Sequence, residues 1–333
     1  MDKLVLFNNT NRNKLLNKRS GESKFGQHVQ ILTSISNIYE QLKNLDVTHV
    51  ILGLPEDVGV FANHGKTGAS KAWEATLKVL LNIHSNEFTR ANKVLILGRL
   101  DFTEEQLLVS KLNPSRKKDI LKARKIVTNI DEYVTYIIHQ IVMAGKKPII
   151  IGGGHNNAYG NIKGLALAKG KPVNAVNFDA HTDFRILEGR HSGNGFSYAY
   201  EDGFLKKYFV FGLHENFVSK SVFNTLKELT SRVKYVTYEE VDVKREKNFE
   251  TELDNALNFI KNEPFGVELD LDAIPNIPSS AMTLSGFSVD KARHFVYFFG
   301  KHQNASYFHI CEGAPDLDDS KNKHLTGKLI ASL

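Results

Sequence analysis

Short apolar runs alternate along this chain with longer segments of helical periodicity, and this alternation limits its possible folds more than any other feature. Strands are predicted at residues 48–54, 93–99, 147–153, 172–178, 207–213, 233–238, 265–271 and 306–312. Strands separated by helices pair in parallel through right-handed crossovers, and the helices then cover both faces of the sheet. We therefore expect an α/β fold, a three-layer αβα sandwich with a mainly parallel sheet of about eight strands, although a closed barrel has the same alternation.

The length of the chain, 333 residues, allows one large α/β domain or two. Hydrophobic residues make up 41% of it and charged residues 24%, which excludes a disordered chain. No low-complexity tract divides it. We expect a single domain over residues 1–333, in which residues 1–45 form a polar N-terminal arm followed by a helix.

Several classes of protein are disfavoured. The N-terminus lacks an apolar leader, and no apolar stretch approaches the roughly 18 residues that a membrane span requires, so we expect a cytoplasmic protein without membrane contact. Cys311 is the only cysteine, which excludes an internal disulfide. The net charge of +6 raises the question of nucleic acid, but the densest basic run, 115–125, has apolar residues at helical spacing and is typical of a solvated helix face. We expect no nucleic-acid partner.

A glycine-rich segment, GGGHNNAYG, follows the strand predicted to end near residue 151. A dinucleotide fingerprint would need glycine in place of Asn157, and a phosphate-binding loop would need a Gly-Lys-Ser or Gly-Lys-Thr ending, so neither motif is present. The glycines instead permit an unusual turn that would present His155 at the start of the next helix.

Two more strands end in clusters of acidic side chains. In the segment NFDAHTDFR, an extended chain would point Asp179, His181 and Asp183 to one side, with Arg185 continuing the row. In ELDLDAIP, two aspartates again lie two positions apart within an apolar strand end. Burying like charges there without compensation would be prohibitive.

Each of these residues alone would more often be a turn or loop residue, but together they supply four carboxylates and two imidazoles at one edge of the sheet. That charge suits two divalent cations, and the oxygen-rich set suits Mn²⁺, although affinity alone would favour Zn²⁺. Two such ions would lower the pKa of a shared water, so hydrolysis is the expected chemistry. The predicted metal ligands are His155, Asp179, His181, Asp183, Asp270 and Asp272.

In order and spacing, the motifs GGGH, DAHTD and LDLDAIP resemble the metal-binding motifs of the ureohydrolase superfamily, which includes arginases, agmatinases and formimidoylglutamases. The resemblance extends from about residue 51 to residue 315. It implies an arginase-like fold and two Mn²⁺ ions per chain held by the six residues above. Members commonly form trimers or hexamers, so the resemblance also implies a possible homo-oligomer.

The same resemblance assigns residues to the substrate. Glu312, in CEGAP, occupies the position of the family's glutamate that binds guanidinium or amidine nitrogens, and a carboxylate can accept two hydrogen bonds from such a planar cation. The segment HSGNGF resembles the family's substrate-binding loop, which implicates Ser192 and Asn194 in holding the amino-acid end.

Departures from the arginase pattern favour one type of substrate. Arginases usually have asparagine at the position of Arg185, and aspartate is expected where Phe217 stands. Arginine at the first position and the form GGGH are familiar in formimidoylglutamases. A guanidinium can hold a carboxylate of N-formimino-L-glutamate and would repel the cationic tail of agmatine.

We therefore expect a dimanganese formimidoylglutamase of histidine degradation, which converts N-formimino-L-glutamate and water to L-glutamate and formamide. Glu312 would orient the amidine, Arg185 would hold a carboxylate, and Asp183 or His191 would give a proton to the leaving nitrogen. The alternatives are an arginase or guanidino-acid ureohydrolase that releases urea, a single-zinc deacetylase, or a nucleic-acid-binding protein.

Overall fold

The structure is a computed structural model, and it describes residues 3–318 and 325–333. Nine strands within these residues form one sheet in the order β1-β3-β2-β4-β9-β8-β5-β6-β7. Only β1 runs antiparallel to its neighbour. The strands are Leu4–Leu6 (β1), His49–Gly53 (β2), Val94–Leu100 (β3), Lys147–Ile151 (β4), Val173–Phe178 (β5), Leu205–Leu213 (β6), Val233–Thr237 (β7), Phe265–Asp270 (β8) and Ala305–Cys311 (β9).

Helices connect the parallel strands. They are Asn9–Leu15 (α1), Phe25–His28 (α2), Ile38–Asn44 (α3), Val58–Ala62 (α4), Ala72–Leu80 (α5), Thr103–Val109 (α6), Lys117–Met143 (α7), Asn157–Lys169 (α8), Gly195–Glu201 (α9), Lys220–Glu228 (α10), Phe249–Ile260 (α11), Val289–Gly300 (α12) and Leu325–Ser332 (α13). Side-chain caps begin several of them: the Ser219 hydroxyl, for example, accepts a hydrogen bond from the backbone N–H of Val222. None of the described helices combines the length and apolar character needed to cross a membrane.

Each face of the sheet packs against its own layer of helices. Along β2, Val50 and Leu52 join one buried cluster with residues of α7 and α8, whereas Ile51 joins the other cluster with residues of α5 and α12. A fully buried aliphatic side chain stabilises the fold by about 1.5–3 kcal/mol, so each layer is held to the sheet by the burial of many such side chains. The three-layer architecture predicted from the alternation is confirmed, with eight predicted strands present and one more at the edge.

The additional strand comes from the N-terminal arm. Leu4 pairs with Leu100 and Leu6 with Gly98, so β1 covers the free edge of β3. Three residues are too few to show a periodic pattern in the sequence. The segment is a strand because it pairs with β3. The single domain expected over residues 1–333 stays a prediction, and positions 1, 2 and 319–324 of that span lie outside the described residues.

Four neighbouring strands at the centre of the sheet, in the order β4-β9-β8-β5, carry the candidate site at their carboxyl ends. Their ends are in register, because Ile151 pairs with Ile310, Asp270 with Cys311, and Phe178 with Leu269. Segments far apart in the sequence therefore meet at one edge, as expected for an open parallel sheet.

Candidate active site

The loop after β4 turns sharply before α8 begins. Gly152 and Gly153 have φ angles of +88° and +81°, a conformation that glycine adopts without steric penalty. His155 follows with its side chain fully buried. The glycines thus do what the sequence predicted: they present His155 just ahead of the next helix, over the sheet edge.

The imidazole of His155 lies among three carboxylates. Its Nδ1 is 2.8 Å from Asp183 Oδ2, 3.2 Å from Asp270 Oδ2 and 3.3 Å from Asp179 Oδ2. The four residues offer ligand atoms within 4.8 Å of one another. This group brings together the ends of β4, β5 and β8.

A second group shares Asp179 with the first. His181 Nδ1 lies 3.2 Å from Asp272 Oδ2 and 3.5 Å from Asp179 Oδ1, and the three residues again offer ligand atoms within 4.8 Å. All six predicted ligands therefore lie in two adjoining groups. One carboxylate with its two oxygens directed to different groups is suited to two cations side by side.

The route by which the β5 loop reaches this arrangement differs from the sequence expectation. The chain does not stay extended, because Asp183 has a φ of +44°. The row of side chains is thereby broken: Asp179 is fully buried, whereas Arg185 is 49% exposed and lies at the mouth of the site. The backbone N–H of His181 donates to Asp179 Oδ1 at 2.6 Å and stabilises the turn.

The two aspartates after β8 also lie in a turn and not in an extended strand. Asp270 is the last strand residue, and Asp272 lies in a short 3₁₀ turn, Leu271–Ala273. The Asp272 N–H donates to Asp270 Oδ1 at 2.8 Å, which leaves Oδ2 of Asp270 facing His155. Thus one oxygen supports the backbone while the other faces the centre.

The buried polar atoms fit a pair of cations. Nδ1 of His155, which faces the carboxylates, and Oδ1 of Asp272 are buried without a hydrogen-bond partner among the described residues. Burial raises the pKa of Asp270 well above its ordinary range, and the carboxylates of Asp272 and Asp179 raise it further. Such crowding of like charge is costly unless cations compensate it, and the donor set of carboxylate oxygens and imidazole nitrogens suits Mn²⁺.

Glu312 follows β9 directly and adopts a φ of +60°. Its Oε1 accepts a hydrogen bond from the His155 N–H at 2.8 Å, and its own N–H donates to Gly153 O at 3.0 Å. Burial raises the pKa of Glu312 to about 8, with a further rise from the carboxylates of Asp272 and Asp183. A strained backbone held by two hydrogen bonds next to a cluster of candidate ligands is typical of a functional residue.

A cavity of about 440 Å³ opens above these groups. Its inner end is acidic, and its mouth is neutral or basic. Arg185 holds its position at the mouth by donating from Nη1 to Asn63 Oδ1 at 2.7 Å and from Nη2 to Glu188 Oε1 at 3.1 Å. The lining includes His181, Asp183, Asp270, Asp272 and Glu312 within, and Asn63, Arg185, Ser192, Phe217, Ser219, Ser221 and Ser280 nearer the mouth.

The loop that resembles the family's substrate loop divides into two kinds of residue. Ser192 lines the cavity. Asn194 and His191 are fully buried beneath it: Asn194 Oδ1 accepts from Arg190 Nη1 at 2.6 Å, and His191 Nδ1 accepts from the Gly193 N–H at 3.1 Å. Burial, followed by the charge of nearby arginines, lowers the pKa of His191 to about 3. Substrate contact by Asn194 and proton donation by His191 stay predictions, and this geometry does not favour them.

Sequence reasoning missed Glu56, which is fully buried below the glycine turn. It accepts hydrogen bonds from Asn157 Nδ2 at 2.6 Å, from Asn156 Nδ2 at 3.1 Å and from the Val58 N–H at 2.8 Å. Burial raises its pKa to about 7. An acidic residue directly after the strand-ending LGLP was the available signal, since it lies at the same sheet edge as the predicted ligands.

Phe217 contributes an aromatic wall. Its ring is nearly parallel to those of His181 and His214, with centroids 5.1 and 5.0 Å away, and Tyr238 extends the stack at 4.9 Å from His214. Offset stacking of this kind restrains ring orientation. The stack thus supports one face of the His181 imidazole, and Phe217 gives the cavity an apolar surface.

Comparison with known proteins agrees with this geometry. The model of the Arginase family matches residues 47–333. A formimidoylglutamase of Streptococcus pyogenes serotype M3 is 27% identical over 197 residues, which is 56% of this chain and 53% of that protein. The match thus spans about half the length of the curated relative.

Solved structures with the same fold include formiminoglutamase of Trypanosoma cruzi with Mn²⁺, with a TM-score of 0.70 and 18% identity over 93% of this chain and 97% of that one. Formimidoylglutamase of Bacillus subtilis has a TM-score of 0.71 and 18% identity, over 95% of this chain and 92% of that one. At this level of identity the likeness concerns the fold.

Proposed function

This chain belongs to the Arginase family, and from that premise we propose that it is a dimanganese hydrolase of an amidine C–N bond. The observation that carries the proposal is the separation of charge in the cavity, with carboxylates at the inner end and the guanidinium of Arg185 at the mouth. A substrate that fits has a planar cationic amidine at one end and a carboxylate at the other.

The six residues of the two groups would hold the ions, one ion for each group, with Asp179 shared. When bound, two Mn²⁺ ions supply the Lewis acidity that activates water and polarises the amidine. Glu312 lines the cavity beside them, and its carboxylate accepts hydrogen bonds from the amidine nitrogens and thereby orients the carbon for attack.

The mouth residues hold the opposite end of the substrate. Arg185 donates to a carboxylate from its planar guanidinium, and the Ser192 hydroxyl donates to the same group. Phe217 presents an apolar ring at the mouth. A substrate with a free α-ammonium group would need an acidic side chain there to compensate its charge. N-formimino-L-glutamate has two carboxylates and no free α-amino group, so it matches these features better than arginine or agmatine.

The proposed reaction is N-formimino-L-glutamate plus water to L-glutamate plus formamide. The proton that the leaving nitrogen needs comes through Asp183, which lines the cavity and lies 2.8 Å from His155 Nδ1. His191 is buried below the loop and does not compete for this role. A cytoplasmic location, a homo-oligomer and a role in histidine degradation stay predictions from the sequence.

The test is a substrate panel with Mn²⁺-loaded protein. Formamide from formiminoglutamate is measured against urea from arginine, agmatine and guanidino acids, and we expect formamide to dominate. Replacing Arg185 with alanine removes charge-assisted hydrogen bonds worth about 1.5–3 kcal/mol, so kcat/KM for formiminoglutamate falls roughly 10- to 150-fold. Metal content by atomic absorption stays unchanged because Arg185 is not a proposed ligand.

Arg293→Ala is the matched control, since this arginine is exposed on α12. It is expected to leave the kinetics unchanged. Dominant urea release from arginine would refute the proposed substrate, and unchanged kinetics of Arg185→Ala would remove Arg185 from the site.

A further inference from the structure

Three buried polar side chains, Glu268, Tyr307 and His309, form a group beneath His155 on the side away from the cavity. Glu268 Oε1 accepts a hydrogen bond from the Tyr307 hydroxyl at 2.6 Å, and Oε2 lies 2.5 Å from His309 Nδ1. Glu268 and His309 have no exposed surface, and Tyr307 is 2% exposed. Three polar side chains in the middle of a parallel sheet are costly to bury, so their presence needs a reason.

Strand pairing creates the group. Glu268 on β8 pairs with His309 on β9. Two residues further along both strands, the last pair is formed by Asp270 and Cys311. Side chains two apart on a strand share a face, so Glu268 lies on the same face as Asp270. The group is thus a layer of the sheet directly below the candidate metal ligands.

The orientation of His155 connects the two layers. Its Nδ1 faces Asp183 and Asp270 at 2.8 and 3.2 Å, whereas its Nε2 faces Glu268 Oε2 at 3.6 Å. The rings of Phe196 and His155 are nearly perpendicular, with centroids 5.2 Å apart. One nitrogen is therefore directed to the cluster of ligands and the other to a buried carboxylate.

Glu268 also bears on the loop that carries His155. His309 Nε2 lies 3.3 Å from the carbonyl oxygen of Gly152, the first residue of the glycine turn, while His309 Nδ1 contacts Glu268. The imidazole of His309 thus contacts a carboxylate with one nitrogen and the backbone of the loop with the other. The group therefore ties the turn to the sheet.

We propose that Glu268 is a positioning residue for the metal centre: its negative charge holds the His155 proton on Nε2 and leaves the lone pair of Nδ1 for the cation of the first group. At 3.6 Å the contact is electrostatic, and in a buried setting it is strong enough to select one tautomer. Histidines that bind metals are commonly oriented in this way by a carboxylate, whose loss weakens metal binding about 10- to 100-fold.

The test measures metal binding and not turnover. Metal-free protein is titrated with Mn²⁺ in a calorimeter, and wild type is expected to bind two ions. In Glu268→Gln, one ion is expected to bind about 10- to 100-fold more weakly, while the ion held by His181 and Asp272 changes less than about threefold. Glu87→Gln, an exposed glutamate, is the control and is expected to match wild type.

A second variant separates position from folding. Glu268→Asp keeps the charge but moves it away from His155, so a smaller loss confined to the same ion is expected, and circular dichroism first establishes that each variant is folded. The proposal would be overturned if both ions bound more weakly by the same factor, or if folded Glu268→Gln bound both ions within about threefold of wild type. The inference rests on the proposed dimanganese centre, and failure of wild type to bind Mn²⁺ would refute that centre instead.

Discussion

Arg190 anchors the loop of residues 189–194, and its removal should destabilise the protein in a way that depends on pH. Its guanidinium is 4% exposed and donates to Asp131 Oδ2 at 2.8 Å, to Asn194 Oδ1 at 2.6 Å and to the Asn156 carbonyl at 2.8 Å. It also lies over the ring of Tyr159. One side chain thus joins α7, the His155 loop and the loop of residues 189–194.

The magnitude follows from the charge left behind. In Arg190→Ala, Asp131 on α7 is buried without its cation, and breaking such a pair costs about 3–5 kcal/mol. Even beside Arg190, burial raises the pKa of Asp131 to about 6. Without the guanidinium its pKa rises further, so at low pH the native state binds a proton that relieves the penalty. We therefore expect a larger loss of stability at pH 8 than at pH 5.

Urea unfolding followed by circular dichroism measures this, with wild type and variant compared at both pH values. Arg293→Ala on α12 is the control and should change the free energy of unfolding by less than about 0.5 kcal/mol. A loss below about 1 kcal/mol at pH 8, or a loss of equal size at both pH values, would refute the argument that an unpaired buried carboxylate dominates.

Two further predictions concern the candidate metal centre and the loop that carries His155. Gly153→Ala should destabilise the protein by about 1–3 kcal/mol, because at a φ of +81° the new Cβ would lie 2.4 Å from Asn157 Nδ2 and 3.0 Å from the Leu54 carbonyl oxygen. Gly170→Ala, also at positive φ but with nothing within 4 Å, should cost less in thermal unfolding, and an equal cost would contradict the role of the contact. Mn²⁺ at about 100 times its Kd should raise the free energy of unfolding by about 2.7 kcal/mol for each ion bound, and a chelator should reverse the rise in Tm. A Tm insensitive to Mn²⁺ would argue against the centre.

Much of the candidate site could be predicted from the sequence because its residues lie in short local motifs. Asp179, His181 and Asp183 follow one apolar run within five positions, and the carboxyl ends of parallel strands meet at one edge whatever the details of packing. The alternation of runs likewise determined the layers of the fold. Such signals depend only on neighbours in the chain and on the few ways in which strands and helices pack.

Other features depend on which segments become neighbours in space. The φ of +44° at Asp183 directs Arg185 to the cavity mouth, and the pairing of β8 with β9 sets Glu268 beside His309 beneath His155. A buried charge has no signature in a single strand, because its partner lies on another one.

The sequence by itself therefore determined the fold class, the family motifs and the six candidate ligands. Only the tertiary structure decided how those ligands divide into two groups sharing Asp179, which loop side chains reach the cavity, and which buried groups support them. The physical reason is that residue types determine which chemical groups are available. The distances between atoms remote in sequence determine which of these groups lie close enough to act together.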